Sequence, residues 1–251
     1  MALTVTNSGN ATSISAGATL VASGINASVG DWLVAFVAAD NNGASGAASL
    51  TSVQDSAGNT WTQRALINNS PGGVAADGVT LGIWTCRVTN ALAAGTFTAN
   101  FSPNTTAKAC HLYRIQPGVG DTITFIACDT VGNIYNTASA FAAPTALVKN
   151  GDTVFGVVGI QETGTTFTGD SDTTNGSWST AVQSNASTGT ASTSMRVCSQ
   201  WKTVNADGNQ DWSSSIVSAR VAAATYLVIS PVAPTPAPPI VFNPFMPFLV
   251  R

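Results

Sequence analysis

Short runs of apolar and β-branched residues recur along the whole chain, separated by residues that favour turns. The runs are rich in valine, isoleucine, threonine, phenylalanine and tryptophan, and glycine, asparagine, aspartate and serine lie between them. In residues 79–89, for example, Val79, Leu81 and Ile83 fall on one face and Trp84 falls on the other. This alternation is typical of β-strands joined by turns.

The pattern predicts thirteen short strands and no helix of any length. The predicted fold is an all-β antiparallel β-sandwich or jelly roll, because a parallel sheet would need crossover helices between its strands. The predicted strands are residues 3–6, 20–25, 32–39, 60–67, 79–89, 96–101, 108–115, 122–128, 153–160, 177–182, 192–204, 212–217 and 221–229.

A weak internal repeat divides the predicted sandwich, residues 1–230, into halves of about 1–120 and 121–230. The offset between matched segments drifts from about 120 to 113 residues, as expected for related halves with loops of different length. The matches are residues 30–37 with 151–158, 59–62 with 176–179, Trp84 with Trp201, and Tyr113 with Tyr226.

Two arrangements of the halves fit this repeat. They either form two small sandwiches in tandem or one jelly roll in which each half supplies strands to both sheets. The jelly roll is favoured because no linker rich in proline, serine or charge separates the halves, and single sandwiches of this length are common. The tandem arrangement stays open.

The composition changes sharply after Ser230. Residues 231–251 contain seven of the eleven prolines of the chain. Proline fixes φ and lacks an N–H donor, so this segment is not expected to join a central strand or a helix. We predict an extended Pro-rich C-terminal arm with a reach of up to about 65 Å at 3.1 Å per residue.

The far end of this arm is apolar, whereas flexible tails are normally polar. An arm of this composition needs an apolar groove on its own domain or on a neighbour. The sequence therefore predicts partner-binding residues that anchor in apolar pockets: Ile240, Val241, Phe242, Phe245, Met246, Phe248 and Leu249.

The scarcity of charge excludes several classes of protein. Charged residues make up 8% of the chain, against roughly 25% in an ordinary soluble protein. The nine lysines and arginines are scattered, whereas a nucleic-acid binder needs them clustered. No apolar run approaches the roughly 18 residues of a membrane span, and no basic and apolar leader is apparent. We expect no nucleic-acid and no membrane partner, and synthesis in a host cytoplasm.

Residues that could carry chemistry are few and isolated. His111 is the only histidine and has no nucleophile motif around it, and Glu162 is the only glutamate. The four cysteines lack the spacing of a zinc site and are interpreted as buried thiols. Residues 170–175 offer oxygen ligands but lack the glycine and glutamate of a calcium loop, which favours a plain turn. The sequence predicts no enzyme, no cofactor and no metal site.

Six tryptophans could either pack inside the sandwich or form a platform on which sugars stack. The repeat places four of them at matched positions, which favours packing. The tryptophans are Trp32, Trp61, Trp84, Trp178, Trp201 and Trp212.

Four stretches together resemble a known module: residues 29–39, residues 53–62, the strand with Trp84, and residues 113–115. They are similar to a β-sandwich module found in virion proteins of tailed bacteriophages, of the capsid decoration or cement type, and in some bacterial surface proteins. The resemblance covers most of residues 20–229 and has no counterpart of the arm. It implies a structural role in a virion or in adhesion, and it carries over no catalytic residue.

The predicted function is that of a capsid decoration protein on the exterior of a virion. A charge-poor surface favours dense packing against neighbours, and we expect a closed symmetric homo-oligomer, with a trimer favoured. The arm would clamp the major capsid protein or a sister subunit. The alternative is a carbohydrate-binding adhesin or tail-fibre module that uses exposed tryptophans.

Overall fold

A computed structural model describes residues 3–40, 50–71, 78–118 and 121–232. Strands dominate these ranges, which contain no α-helix and confirm the predicted antiparallel β-sandwich. The strands are β1 (Thr4–Ser13), β2 (Gly17–Ala27), β3 (Trp32–Asp40), β4 (Leu50–Asp55), β5 (Trp61–Asn69), β6 (Val79–Arg87), β7 (Leu92–Thr105), β8 (Lys108–Gln116), β9 (Thr122–Cys128), β10 (Asn133–Val148), β11 (Thr153–Ile160), β12 (Phe167–Thr168), β13 (Val182–Ala186), β14 (Met195–Thr203) and β15 (Gly208–Val232).

The described strands form three antiparallel sheets. The first inner sheet has the order β1-β8-β3-β6-β5, and the first outer sheet, β2-β7-β4, packs on one of its faces. The second inner sheet has the order β10-β15-β11-β14-β13, with β9 and β12 also paired to β15. The two inner sheets face each other across the largest apolar cluster, which we call the central core.

Strand β3 is buried on both faces because a core lies on each side of it. Val34 and Phe36 point into the central core, whereas Leu33 and Val37 point into the first outer core, which fills the space below the first outer sheet. A strand covered on both sides has no solvent-facing positions. This explains why the sequence of β3 is a continuous apolar run without alternating polar residues.

The second half covers the far face of its inner sheet with its own long strands. The register of β10 with β15 shifts repeatedly in the middle of the pair, and the beginning of β15 lies over β11. There Trp212 packs on Gly156, where an added Cβ would lie 2.2 Å from the indole. Trp212 Nε1 donates to Gln200 Oε1 at 2.9 Å. In the second half, the bent strands β10 and β15 thus cover the inner sheet, as the separate sheet β2-β7-β4 does in the first half.

The internal repeat appears in the structure as a repeated strand order. The order β1-β8-β3-β6-β5 of the first inner sheet recurs as β9-β15-β11-β14-β13 in the second, with β9 and β10 sharing the place of β1. The turns that lead into β3 and β11 are also alike. Asp31 Oδ2 accepts the backbone N–H of Ser28 at 2.9 Å, and Asp152 Oδ2 accepts that of Lys149 at 2.7 Å.

Two of the matches drawn from the sequence are one residue out of register. Ala35 lies opposite Trp84 on β6, and its repeat equivalent Gly156 lies opposite Gln200 on β14. Trp84 therefore corresponds to Gln200 and not to Trp201, and the tyrosine match slips in the same way. Because one residue of slip turns a side chain to the other face, Trp84 packs in the first outer core and Trp201 packs against the central core.

The two halves pack through equivalent positions of their central strands. Gly159 on β11 is the repeat equivalent of Ala38 on β3, and a Cβ added to Gly159 would lie 3.1 Å from the Ala38 Cβ. Equivalent positions meet in this way across an approximate two-fold axis. Each described sheet draws its strands from one half only. This corrects the favoured jelly-roll arrangement: each half closes its own outer core, so neither needs a strand from the other.

Candidate interaction surface

The predicted partner-binding residues lie outside the described residues, and the structure shows only the strand from which they continue. Pro231 and Val232 end β15 and lie opposite Ile123 and Thr122 of β9. Residues 233–251 follow from this position. The residues concerned are Ile240, Val241, Phe242, Phe245, Met246, Phe248 and Leu249.

A pocket of about 120 Å³ opens beside this strand end. Its walls come from the turn before β3, the end of β6 and the stretch between β8 and β9. No sequence motif connects these segments, because strand pairing alone brings them together. Nothing in the sequence therefore predicts the pocket. The lining residues are Gly30, Trp32, Arg87, Pro117, Asp121, Thr122 and Ile123.

The floor of the pocket is apolar and firmly packed. The half-buried Trp32 meets the Phe125 ring edge to face, with 5.0 Å between the ring centroids. The guanidinium of Arg64 covers the same phenylalanine at 4.2 Å from the ring centroid. Ile123 is buried in the central core. The indole therefore has a fixed position and a surface that still reaches the pocket.

The rim of the pocket carries one charge of each sign. Arg87 is exposed, and in the described part of the chain its guanidinium makes no hydrogen bond and no ion pair. The backbone N–H of Asp121 donates to the carbonyl of Gly118 at 2.9 Å, which fixes the turn that carries its carboxylate. A guanidinium has five N–H donors, so this rim suits a ligand rich in acceptors.

The six tryptophans pack in or against the cores, as the repeat predicted. Trp84 and Trp212 are buried, and Trp32, Trp61, Trp178 and Trp201 are half-buried against the cores. Trp61, for example, packs edge to face on Phe97, and its Nε1 donates to Asp55 Oδ2 at 2.9 Å. All six indoles thus contribute to core packing, and four of them keep part of their surface accessible.

His111 lies in the central core and joins the two halves. Its Nδ1 is 2.7 Å from Ser199 Oγ on β14, and Tyr113 Oη is 2.8 Å from the same hydroxyl. The side chain is fully buried, and this burial lowers the pKa of His111 to about 3. A neutral imidazole without access to solvent cannot serve a substrate, so the group has a structural role.

Several of the few charged side chains are also used inside the fold. Glu162 and Arg196 form a buried ion pair. Lys108 is fully buried, and its Nζ donates to the carbonyls of Ser15 at 2.9 Å and Thr105 at 2.6 Å. Burial lowers the pKa of Lys108. These contacts connect the ends of strands. Because the charged groups are buried, they do not add to the small number of charges on the surface.

The oxygen-rich residues 170–175 form a turn. Asp170 Oδ1 accepts the backbone N–H of Asp172 at 2.7 Å, and Asp172 Oδ1 accepts that of Thr174 at 2.9 Å. Asp172 Oδ2 lies 3.6 Å from the ammonium of Lys202. Backbone donors and a lysine thus occupy the oxygens that a calcium ion would need.

The cysteines are free thiols. Cys86, Cys110 and Cys198 are buried, as predicted, and Cys128 is half-buried. Burial raises the pKa of Cys86, Cys110 and Cys128 to about 12, and it raises that of Cys198 as well. These thiols therefore stay protonated and unreactive near neutral pH.

The comparisons with known proteins identify no relative: no family model, curated protein or solved structure matches the chain. The described residues contain no group of three or more His, Cys, Asp or Glu side chains placed to hold a metal ion. They also contain no helix with the length and hydropathy needed to span a membrane. What the chain does is therefore inferred from its own residues.

Proposed function

We propose that the chain is a virion structural protein, a capsid decoration protein held on the particle exterior by residues 240–249. One observation carries this proposal. The last strand of a firmly packed sandwich leads directly into a proline-rich stretch, and a run of apolar residues follows that stretch. The side chains with reactive groups, such as His111 and the Glu162–Arg196 pair, make contacts inside the fold.

The partner in this proposal is the major capsid protein or a sister subunit, in a homotrimer or another closed oligomer. Burying about 1,000 Å² of the arm, roughly 60% of it apolar, contributes about 15 kcal/mol before the costs of ordering and association. A surplus of this kind resists separation of neighbouring subunits. The charge-poor surface of the sandwich removes electrostatic repulsion between close copies.

Deleting residues 240–251 tests this function. We expect the truncated chain to keep its near-UV circular dichroism and to fall at least about tenfold in copies per purified particle, because the apolar anchors are gone. Quantitative mass spectrometry of particles measures the occupancy. Leu147→Ala is the control, since Leu147 is a 73% exposed apolar residue outside the deleted segment. Full occupancy by the truncated chain rejects the proposal.

A further inference from the structure

We propose that the pocket at Trp32 receives the proline stretch 233–239 of the same chain and so fixes the direction in which residues 240–249 leave the sandwich. This inference rests on the proposed function and assigns a receiving site to it. The seven lining residues named above all belong to the described part of the chain.

The position of the strand end brings the proline stretch to the pocket. Val232 lies opposite Thr122, and Pro231 opposite Ile123, and these two partners line the pocket. Paired strands lie about 4.8 Å apart. A polyproline segment that continues the strand at about 3.1 Å per residue would place Pro234 and Pro236 roughly 6 and 12 Å beyond Val232. The first prolines therefore reach the pocket without a long loop.

The shape and chemistry of the pocket suit a proline ring. A volume of about 120 Å³ equals that of about four water molecules, which is space for one small ring. Trp32, Pro117 and Ile123 supply an aromatic and aliphatic floor. Grooves of this kind bind polyproline segments, because such segments are already extended and lose little entropy on binding.

The rim matches the backbone of the proline stretch. Residues 233–239 read Ala-Pro-Thr-Pro-Ala-Pro-Pro and carry no charge. They have seven carbonyl acceptors and three N–H donors, because proline has no N–H. The guanidinium of Arg87, which has no partner among the described residues, supplies the missing donors at the rim.

Docking the root of the arm has a consequence for assembly. When residues 233–239 are bound in the pocket, the apolar residues 240–249 begin at a fixed point, and the volume that they can reach is smaller. Holding them near one partner surface raises their effective concentration there. The pocket thus acts as a positioning site, and residues 240–249 make the partner contact.

Fluorine NMR of the full chain labelled with fluorotryptophan tests the assignment. Trp32→Phe identifies the Trp32 signal among the six. We expect the signal to be unchanged when residues 240–251 are deleted and to shift when residues 233–251 are deleted, while the signal of the buried Trp212 stays in place. A variant with Pro234, Pro236, Pro238 and Pro239 replaced by glycine keeps the length of the chain and should reproduce the shift.

Each outcome decides one claim. A Trp32 signal that is unchanged both by the deletion of 233–251 and by the four glycine substitutions overturns the pocket assignment. The proposed function is tested separately, by the occupancy measurement on particles. A signal whose position in the full chain depends on protein concentration overturns docking within one chain, because a second copy then fills the pocket. A peptide of residues 233–239 that reverses the shift in the truncated chain supports the assignment.

Discussion

At the scale of single residues, the polar groups of the core connect the two halves. His111 and Tyr113 on β8 share the hydroxyl of Ser199 on β14, at 2.7 and 2.8 Å. The absence of a nucleophile motif around His111 favours a hydrogen-bonded histidine within a strand, and the structure confirms that role. Its partner could not be predicted, because Ser199 lies 88 residues away and only the packing of the two inner sheets brings it near.

The burial of His111 predicts a loss of stability in mild acid. Its pKa falls from an ordinary 6.5 to about 3 in the folded chain, so below pH 6.5 the unfolded state binds a proton that the folded state does not. The stability is complete above pH 6.5 and is lost progressively toward pH 3. Between pH 7 and pH 5 we expect the free energy of unfolding to fall by about 2 kcal/mol.

Urea denaturation at several pH values measures this effect. His111 is the only histidine, and histidine is the one side chain whose unperturbed pKa lies in that range, so the slope belongs to one group. An unfolding free energy that stays flat from pH 7 to pH 5 would show that the imidazole is accessible to protons in the folded state.

At the scale of elements, strands with strong β-propensity were predicted and those that depend on a partner were not. Residues 32–39, 108–115 and 153–160 correspond closely to β3, β8 and β11. The sequence missed β10, which is rich in alanine, contains a proline and becomes a strand by pairing with β15. The sequence pattern also predicts two strands, 212–217 and 221–229, where the structure has the single bent strand β15. No glycine or proline in the sequence marks the position of the bend.

The close contact of Trp212 with Gly156 gives a prediction for this bend. Gly156→Ala would place a Cβ 2.2 Å from the indole, so β15 must move away from β11. We expect a loss of about 1–3 kcal/mol in the free energy of unfolding, as for other overpacked cores. Thermal and urea denaturation measure it.

Gly17→Ala is the matched control for this substitution. An added Cβ at Gly17 meets no atom closer than 3.9 Å, so the expected change is within about 0.5 kcal/mol. Equal stability of the Gly156→Ala and Gly17→Ala variants would mean that Trp212 does not press on β11.

At the scale of the whole molecule, the duplication was visible in the sequence but its arrangement was not. The repeated Gly-Asp turns at residues 30–31 and 151–152 mark equivalent strands. Whether the halves exchange strands depends on how each outer core is closed. In the second half, the pairing of β10 with β15 closes it. The arm stays a prediction from composition, whereas the pocket beside the end of β15 depends on segments far apart in sequence.

Photo-crosslinking shows whether residues 240–249 contact another molecule. The photoreactive analogue p-benzoylphenylalanine replaces Phe245 in the full chain, assembled particles are irradiated, and mass spectrometry identifies the linked peptides. We expect links to the major capsid protein, or links to this chain in a product that has the mass of two chains on a denaturing gel. Links confined to residues 3–232 in a product with the mass of a single chain would show that the segment contacts only its own chain.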